Sequence, residues 1–234
     1  MSGLFAKIVK HSLATFDRKN AAALSTNLHQ LKQLMDQLTA KDLNIDPFIM
    51  SEEAFGYDDK APCTFVRIFE HEDVSMSVFI LRGGYTMPLH DHPVMHGILK
   101  TLSGALLVRS YTAINEVPYS RIIKEVPVKA EEPKLINSTS ECATLTPTEC
   151  NYHEISAING VAAFFDILSP PYDTNIPIYG RRRCNFYRKL PQDSPDGYTL
   201  ERIPTPISYY CDSAVYVTPD FLKDYETRFT SQKA

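Results

Sequence analysis

Three of the chain's seven histidines lie close together, at His90, His92 and His96. Pro88 and Pro93 flank the first two and disfavour a helix, because proline lacks the backbone donor that a helix needs. In an extended strand, side chains two residues apart point to the same face. The spacing therefore predicts that the imidazoles of His90 and His92 lie side by side and supply half of a metal site.

A metal site needs at least one more ligand, and the candidates are His96, His153 and a carboxylate. In a continuing strand, His96 would lie roughly 13 Å from His92, too far for a shared ion unless the chain turns sharply. His153 belongs to a strand-like run further along, which an antiparallel sheet can place beside the first strand. The remaining histidines are expected to be surface groups: His11, His29 and His71.

The composition is that of a globular protein, with 44% hydrophobic and 22% charged residues. A net charge of −4 argues against nucleic acid as the main partner. No apolar run approaches the roughly 18 to 20 residues that cross a bilayer, so no membrane partner is expected. The five cysteines form no C-x-x-C pair, which indicates free thiols in a reducing compartment. We also expect a monomer, since no segment resembles a coiled coil.

Apolar residues recur at helical spacing near the N-terminus, from Leu4 to Phe16. A mitochondrial presequence is the alternative, but such segments favour arginine, which this stretch lacks. We therefore predict a packing helix and a cytoplasmic protein, with mitochondrial import and nuclear access as alternatives. A second helix is predicted from about 20 to 40, where Leu24, Leu28 and Leu31 repeat.

From residue 64 onward, short β-branched or apolar runs alternate with turn residues, which predicts strands. The predicted strands are Thr64–Glu70, Ser75–Leu81, Gly97–Leu102, Gly104–Tyr111, Ala143–Leu145, Tyr152–Ser156, Val161–Leu168 and Asn185–Leu190. Ser103-Gly104 is typical of a tight hairpin turn. Many short strands at close spacing favour a single domain of the jelly-roll sandwich or barrel type.

Two polar, proline-containing segments are predicted to be loops, residues 112–140 and Pro170–Arg183. The first is expected to contain one edge strand, around Arg121–Val126. The second carries the run Arg181-Arg182-Arg183, and such a charge run is usually a solvated patch.

The pattern Gly84-x5-His90-x-His92, followed by Gly104, resembles the first motif of the cupin superfamily. The glutamate that cupins usually carry after the second histidine is missing, and Gly97 stands in its place. Further on, Pro147 and His153 resemble what remains of the second cupin motif: the family resemblance therefore favours His153 as the third ligand.

Four segments narrow the resemblance: Leu38–Asn44, Pro88–Pro93, Met95–Gly97 and Phe165–Asp173. They are similar to the cysteamine dioxygenases and the plant cysteine oxidases, over about residues 28 to 190. This family implies a mainly β cupin jelly-roll barrel (a double-stranded β-helix) that holds Fe(II) through His90, His92 and His153. Residues 1–46 would form a helical segment packed outside, and residues 47–234 the dioxygenase domain.

The resemblance implies O2-dependent oxidation of a thiol to a sulfinic acid, either cysteamine to hypotaurine or the N-terminal cysteine of a protein. The chemistry of the ligands agrees, because three neutral imidazoles leave the full charge of the ion for a thiolate to balance. The same ligands would suit Zn2+ with a bound hydroxide. A zinc-dependent enzyme and a non-catalytic metal-binding cupin are therefore the alternatives.

Two further residues match catalytic or pocket positions of the family. Asp166 lies in the apolar run Ala162–Leu168, where an isolated charge is costly. It matches the family's catalytic aspartate, which would orient the substrate amine or a ligand histidine, and the alternative is a structural hydrogen bond. Tyr172 matches a pocket tyrosine of the plant relatives, and the alternative is a loop residue at the barrel mouth.

Vertebrate members of the family can cross-link a cysteine at the position of Cys184 to a tyrosine two residues on. Here Phe186 stands in that place, and Tyr187 should face the other side of the strand. We expect no cross-link and a small buried thiol at Cys184. No arginine for a substrate carboxylate is identifiable, which favours cysteamine or a Cys-initiated peptide, although Arg82 or Arg109 could reach the pocket.

Overall fold

The structure is a computed structural model that describes residues 3–20, 22–57, 59–115, 124–191, 197–223 and 225. Helix α1 (Gly3–Thr15) and helix α2 (Ala22–Asp36) open the chain. Two short 3-10 turns follow, at Pro47–Met50 and Glu53–Phe55. Within the described ranges, none of the helices has the length and apolar character that a membrane span requires.

The remaining described elements are strands. In chain order they are β1 (Cys63–Glu70), β2 (Ser75–Leu81), β3 (Thr86–Asp91), β4 (His96–Ala113), β5 (Glu125–Ala130), β6 (Lys134–Asn137), β7 (Ala143–Leu145), β8 (Tyr152–Ser169), β9 (Asn175–Ile176), β10 (Gly180–Arg181), β11 (Phe186–Lys189), β12 (Tyr198–Ile203) and β13 (Cys211–Ala214).

The larger sheet closes on itself because β4 pairs with both β5 and β8. The closed ring runs β8-β3-β11-β12-β5-β4, and β2, β1 and β13 extend outward from β8. Strands β6 and β7 pair with β4, while β9 and β10 form a separate two-stranded sheet. The predicted mainly β barrel of the cupin type is thus confirmed.

The two helices lie outside the barrel and share one hydrophobic cluster with its strands. Their apolar residues recur at helical spacing, so that Phe5, Ile8 and Leu31 are fully buried. The ring of Phe5 meets the ring of Phe165 on β8 edge to face at 6.2 Å. Burial of this apolar face, rather than any chemistry, explains the helices.

The predicted hairpin turn at Ser103-Gly104 is wrong. Strand β4 continues through both residues, antiparallel to β8, and its register shifts between Thr101 and Ala105. Gly104 has a positive φ of 69°. A polar residue followed by glycine can form either a turn or a β-bulge. Here β4 pairs with β8 both before and after Gly104, so the two residues form a bulge within one continuous strand.

The predicted strands Tyr152–Ser156 and Val161–Leu168 are likewise parts of one strand, β8. The break expected between them is an irregularity at Asn159 and Gly160, both at positive φ. The long barrel strands therefore bend at glycine-containing bulges instead of ending there.

Residues 112–140 are not one connection, because they contain β5 and β6. The predicted edge strand at Arg121–Val126 lies partly outside the described residues, and the observed strand begins at Glu125. The loop at 170–183 holds the short β9–β10 pair.

Replacing Gly104 with alanine should destabilise the barrel strongly. An added Cβ would lie 2.3 Å from the carbonyl oxygen of Val161, in addition to the left-handed strain. Gly84 is the matched control, since its φ is +77° and a Cβ there would meet nothing within 4 Å. We expect Gly84→Ala to cost about 1–2 kcal/mol from strain alone. Gly104→Ala should cost about 1–3 kcal/mol more from the clash.

Chemical denaturation of the two variants measures this difference. Equal losses of unfolding free energy in both would show that the close approach of β4 and β8 at Gly104 relaxes at no cost.

Candidate metal centre

The register of β3 on β8 brings the three candidate histidines together. His90 on β3 pairs directly with His153 on β8, and His92 follows β3 immediately. The ring centroids lie 5.0 Å apart for His90 and His92, 4.7 Å for His90 and His153, and 4.8 Å for His92 and His153. One ring nitrogen of each lies within 4.8 Å of the others.

This spacing fits a single ion. The Nε2 atoms of His92 and His153 are 3.2 Å apart. Two bonds of about 2.1 Å at a right angle would place two ligand nitrogens about 3 Å apart. Among the described residues, no carboxylate joins this group, and His96 lies outside it, with its ring 6.3 Å from that of Phe16.

Hydrogen bonds fix the orientation of two of the rings. The Nδ1–H of His90 donates to the carbonyl oxygen of Pro88 at 2.8 Å. The hydroxyl of Tyr172 donates to the carbonyl oxygen of Asp91 at 2.6 Å and accepts from Nδ1 of His92 at 3.0 Å. Since a carbonyl oxygen can only accept, these contacts put the protons on Nδ1 and leave the Nε2 lone pairs for the centre of the group.

Burial keeps the three imidazoles neutral. It lowers the pKa of His90 to about 4, and it lowers the pKa of His92 and His153 well below the ordinary value. The neighbouring histidines lower the pKa of His92 further. Neutral imidazole is the form that ligates metals, so the site needs no deprotonation at neutral pH.

The reverse face of the histidine motif is held by Asp91. Its carboxylate accepts hydrogen bonds from the backbone N–H of Asn185 at 2.8 Å, from the Asn185 side chain and from the hydroxyl of Tyr187 at 2.8 Å. These bonds attach β11 to the end of β3. Asp91 has no role in the predictions made from the sequence, although its position between the two histidines was a signal.

Asn151, immediately before β8, also holds the histidine motif in place. Its side-chain amide donates to the carbonyl oxygen of His92 at 2.8 Å and to that of Thr146 at 2.8 Å, and it accepts from the His92 N–H at 3.2 Å. This buried residue was missed, and its place two residues before His153 was the only local signal.

The prediction that the arginine run is solvated is wrong for Arg182. Its side chain is buried, and its guanidinium donates to the carbonyl oxygens of Pro93 and Val94, the latter at 3.0 Å. Its Nε also donates to the hydroxyl of Thr174 at 3.3 Å. The loop at 170–183 is thereby attached to the segment that follows His92, whereas Arg181 and Arg183 are exposed as predicted.

A cavity of about 560 Å³ opens in front of the three histidines. Its wall includes Asp166, Tyr172, Cys184, Phe186 and Cys211. Within the described part of the chain, no lysine or arginine lines it. The two arginines considered from sequence are engaged elsewhere: Arg82 donates to the carbonyl oxygen of Lys60 at 2.8 Å, and Arg109 lies 3.7 Å from the Glu154 carboxylate.

The two candidate catalytic residues differ in what they can do. Burial raises the pKa of Asp166 to about 7, against a smaller opposing effect of the Ile167 N–H. Its carboxyl group can therefore exchange a proton near neutral pH. Burial raises the pKa of Tyr172 well above 10, so its hydroxyl stays protonated and serves the two contacts that hold His92.

The strand after Cys184 alternates as predicted. Phe186 lines the cavity with its ring 6.3 Å from that of His90, whereas Tyr187 points to the other face and bonds Asp91. Cys184 is half-buried rather than fully buried, and its thiol is in hydrogen-bonding contact with the Tyr172 hydroxyl. Burial raises the pKa of this thiol to about 12.

A closed jelly-roll barrel with three inward imidazoles at one end defines a cupin with a candidate metal centre. The PCO_ADO family model matches residues 34–221, and the chain belongs to that family.

The chain is 31% identical to the 2-aminoethanethiol dioxygenase of Mus musculus, over 95% of this chain and 98% of the relative. It is 24% identical to plant cysteine oxidase 1 of Arabidopsis thaliana, over 71% and 56% of the two chains. A solved cupin superfamily protein from Desulfitobacterium hafniense aligns with 9% identity and a TM-score of 0.35, over 50% of this chain and 86% of its own.

Tyr172→Phe should weaken metal binding about 10- to 100-fold, because the variant loses the acceptor that fixes the His92 ring. Tyr187→Phe is the matched control, since it removes a buried hydroxyl from the other face and leaves the His92 contact intact. Titration of the metal-free proteins with Co2+, followed by visible absorption, measures the affinities. A larger loss in Tyr187→Phe than in Tyr172→Phe would contradict this role.

Asp166→Asn should stabilise the metal-free protein at alkaline pH. The pKa of Asp166 in the fold, about 7, lies above the 3.8 of an unperturbed aspartate in the unfolded chain, so stability falls as the pH rises from the lower value to the higher. Asparagine mimics the protonated acid and removes this loss. We expect a small difference at about pH 4, near the unfolded pKa, and about 1–3 kcal/mol at pH 8, allowing for screening by solvent in the cavity. Chemical denaturation of both proteins at each pH measures the difference. If the unfolding free energies of Asp166→Asn and of the unsubstituted protein change equally with pH, the prediction is wrong.

Proposed function

We propose that this protein is a thiol dioxygenase in which His90, His92 and His153 hold Fe(II) and a thiol takes up both atoms of O2. The overall change is R–SH + O2 → R–SO2H, so the sulfur is oxidised and both oxygen atoms stay on it. The observation that carries the proposal is the convergence of three neutral imidazoles, which no carboxylate of the described residues joins. The names of the relatives, 2-aminoethanethiol dioxygenase and plant cysteine oxidase, support the choice of thiol and O2.

Fe(II), when bound, supplies a site for the thiolate and the redox chemistry that activates O2. Neutral ligands suit this task, because they remove none of the positive charge that attracts a thiolate. The ligand set alone would also suit zinc, so iron rests on the family and not on the geometry.

Asp166 is proposed to hold the proton that the substrate releases. Its carboxyl group lines the same cavity as the three histidines, and its pKa of about 7 lets it accept a proton near neutral pH. The carboxylate form can also accept a hydrogen bond from a substrate amine. In either role the acceptor atom is a carboxylate oxygen facing the cavity.

Tyr172 is proposed to act through His92 as a positioning residue. Its hydroxyl contacts the Nδ1 of His92, the carbonyl oxygen of Asp91 and the thiol of Cys184. These contacts connect the loop after β8 to the ligand ring, and they enclose one side of the cavity. Aromatic rings such as Phe186 line another side and exclude water.

The cavity favours thiols that carry an amine but no nearby carboxylate. In the described residues no cation lines it that could balance a carboxylate, whereas Asp166 could accept from an amine. Its volume of about 560 Å³ lies in the range of pockets that hold drug-sized ligands, so it has room for several residues of a peptide. Cysteamine and a protein N-terminus that begins with cysteine both satisfy this chemistry.

Reconstitution tests the reaction. The metal-free protein is loaded anaerobically with Fe(II) and mixed with O2 and either cysteamine or a Cys-initiated peptide. We expect O2 uptake and a product that has gained two oxygen atoms, and we expect His153→Ala to abolish turnover. Absence of O2 uptake with both substrates, or O2-independent activity that persists with Zn2+, would reject the proposal.

The charge of the cavity predicts an order among small thiols. Free cysteine should react about 10- to 100-fold less efficiently than cysteamine, because its carboxylate would be desolvated without a partner. Cysteinamide, which lacks that charge, is the matched control and should recover most of the loss. Values of kcat/KM measured by O2 uptake provide the comparison, and equal values for cysteine and cysteinamide would argue against discrimination by charge.

A further inference from the structure

Two cysteines lie opposite each other where the C-terminal strand joins the sheet. Cys63 begins β1 and Cys211 begins β13, and the parallel pairing of these strands matches the two residues in register. Neighbouring strands in a sheet are about 4.8 Å apart, which lies within the range of Cα separations that a disulfide spans. The pairing thus places the two Cα atoms within the reach of a disulfide.

Both side chains point to the same face of the sheet. Phe65 and Ser213, two residues further along the same strands, also pair in register and both line the cavity. Because side chains two residues apart share a face, Cys63 and Cys211 point the same way. Their thiols are hydrogen-bonded to each other.

The two thiols differ in access. Cys63 is fully buried, whereas Cys211 is partly exposed and lines the cavity. The hydrogen bond from the Cys63 thiol lowers the pKa of Cys211, and the same bond raises the pKa of Cys63. An accessible thiol of lowered pKa beside a buried partner is the arrangement of an attacking and a resolving cysteine.

We propose that Cys63 and Cys211 are a redox-active dithiol in the cavity wall, which a hydroperoxide converts to an intramolecular disulfide. The Cys211 thiolate attacks the peroxide, the O–O bond breaks, and a sulfenic acid forms on Cys211 as water (or an alcohol) leaves. The Cys63 sulfur then attacks the Cys211 sulfur, the S–S bond forms, the S–O bond breaks and a water molecule leaves. Two thiols are oxidised and one peroxide is reduced.

The pair is connected to the candidate metal centre by packed rings. Tyr209 hydrogen-bonds Cys211, and its ring lies 5.2 Å from that of Phe186, which in turn lies 6.3 Å from the ring of His90. The disulfide would fix β13 to β1 and remove a thiol from the wall. This inference concerns the wall and holds whether or not the chain oxidises thiols.

Peptide mapping of the full-length protein tests it. The metal-free protein is treated with hydrogen peroxide, its remaining thiols are alkylated, and it is digested without reduction for mass spectrometry. We expect a linked peptide that contains Cys63 and Cys211, has lost two hydrogen atoms and is released by dithiothreitol. Cys142→Ser is the matched control, because it alters another buried cysteine and should leave the yield unchanged.

A second measurement keeps the test independent of folding defects. In Cys63→Ala the linked peptide should disappear and dimedone should trap a sulfenic acid on Cys211, with the fold checked by circular dichroism. The proposal is overturned if, in the chain without substitutions, Cys63 is still fully available for alkylation after the peroxide treatment. It is also overturned if Cys211 is found linked to Cys184 instead.

Discussion

The antiparallel ladder between β3 and β8 sets His90 opposite His153, and a slip of one residue would turn one of these rings to the other face of the sheet. The site therefore depends on register more than on any single bond. The closed ring of strands maintains that register, because β8 is paired on one side with β3 and along much of its length with β4. The apolar cluster under the helices holds β8 from outside the barrel.

The two faces of the motif carry opposite electrostatic requirements. On the inner face, burial favours neutral imidazoles, which can then point their lone pairs at one position. On the outer face, Asp91 is buried as an acceptor, and the amide and hydroxyl donors of Asn185 and Tyr187 compensate its desolvation. Exchanging the residues of the two faces would destabilise the fold. A carboxylate on the inner face would be buried without donors, and an imidazolium in either place would lose its hydration.

The sequence predicts what is local and misses what depends on distant register. The pairing of His90 with His92 follows from period-two alternation, and the barrel class follows from many short strands. The role of His153 required the family resemblance, because no local pattern relates it to β3. Arg182 has the same composition around it as its exposed neighbours, and only the folded loop buries it. The bulge at Gly104 was mistaken for a turn because both use the same backbone conformation.

The interleaving of His90, Asp91 and His92 has a consequence for how this protein can change over evolution. All three consecutive residues are engaged, two towards the cavity and one towards β11. A substitution at any of them removes either a candidate ligand or the bond that aligns the strand carrying it. Substitutions that reshape the cavity and keep both the candidate ligands and this bond are therefore expected among the other wall residues and the surrounding loops.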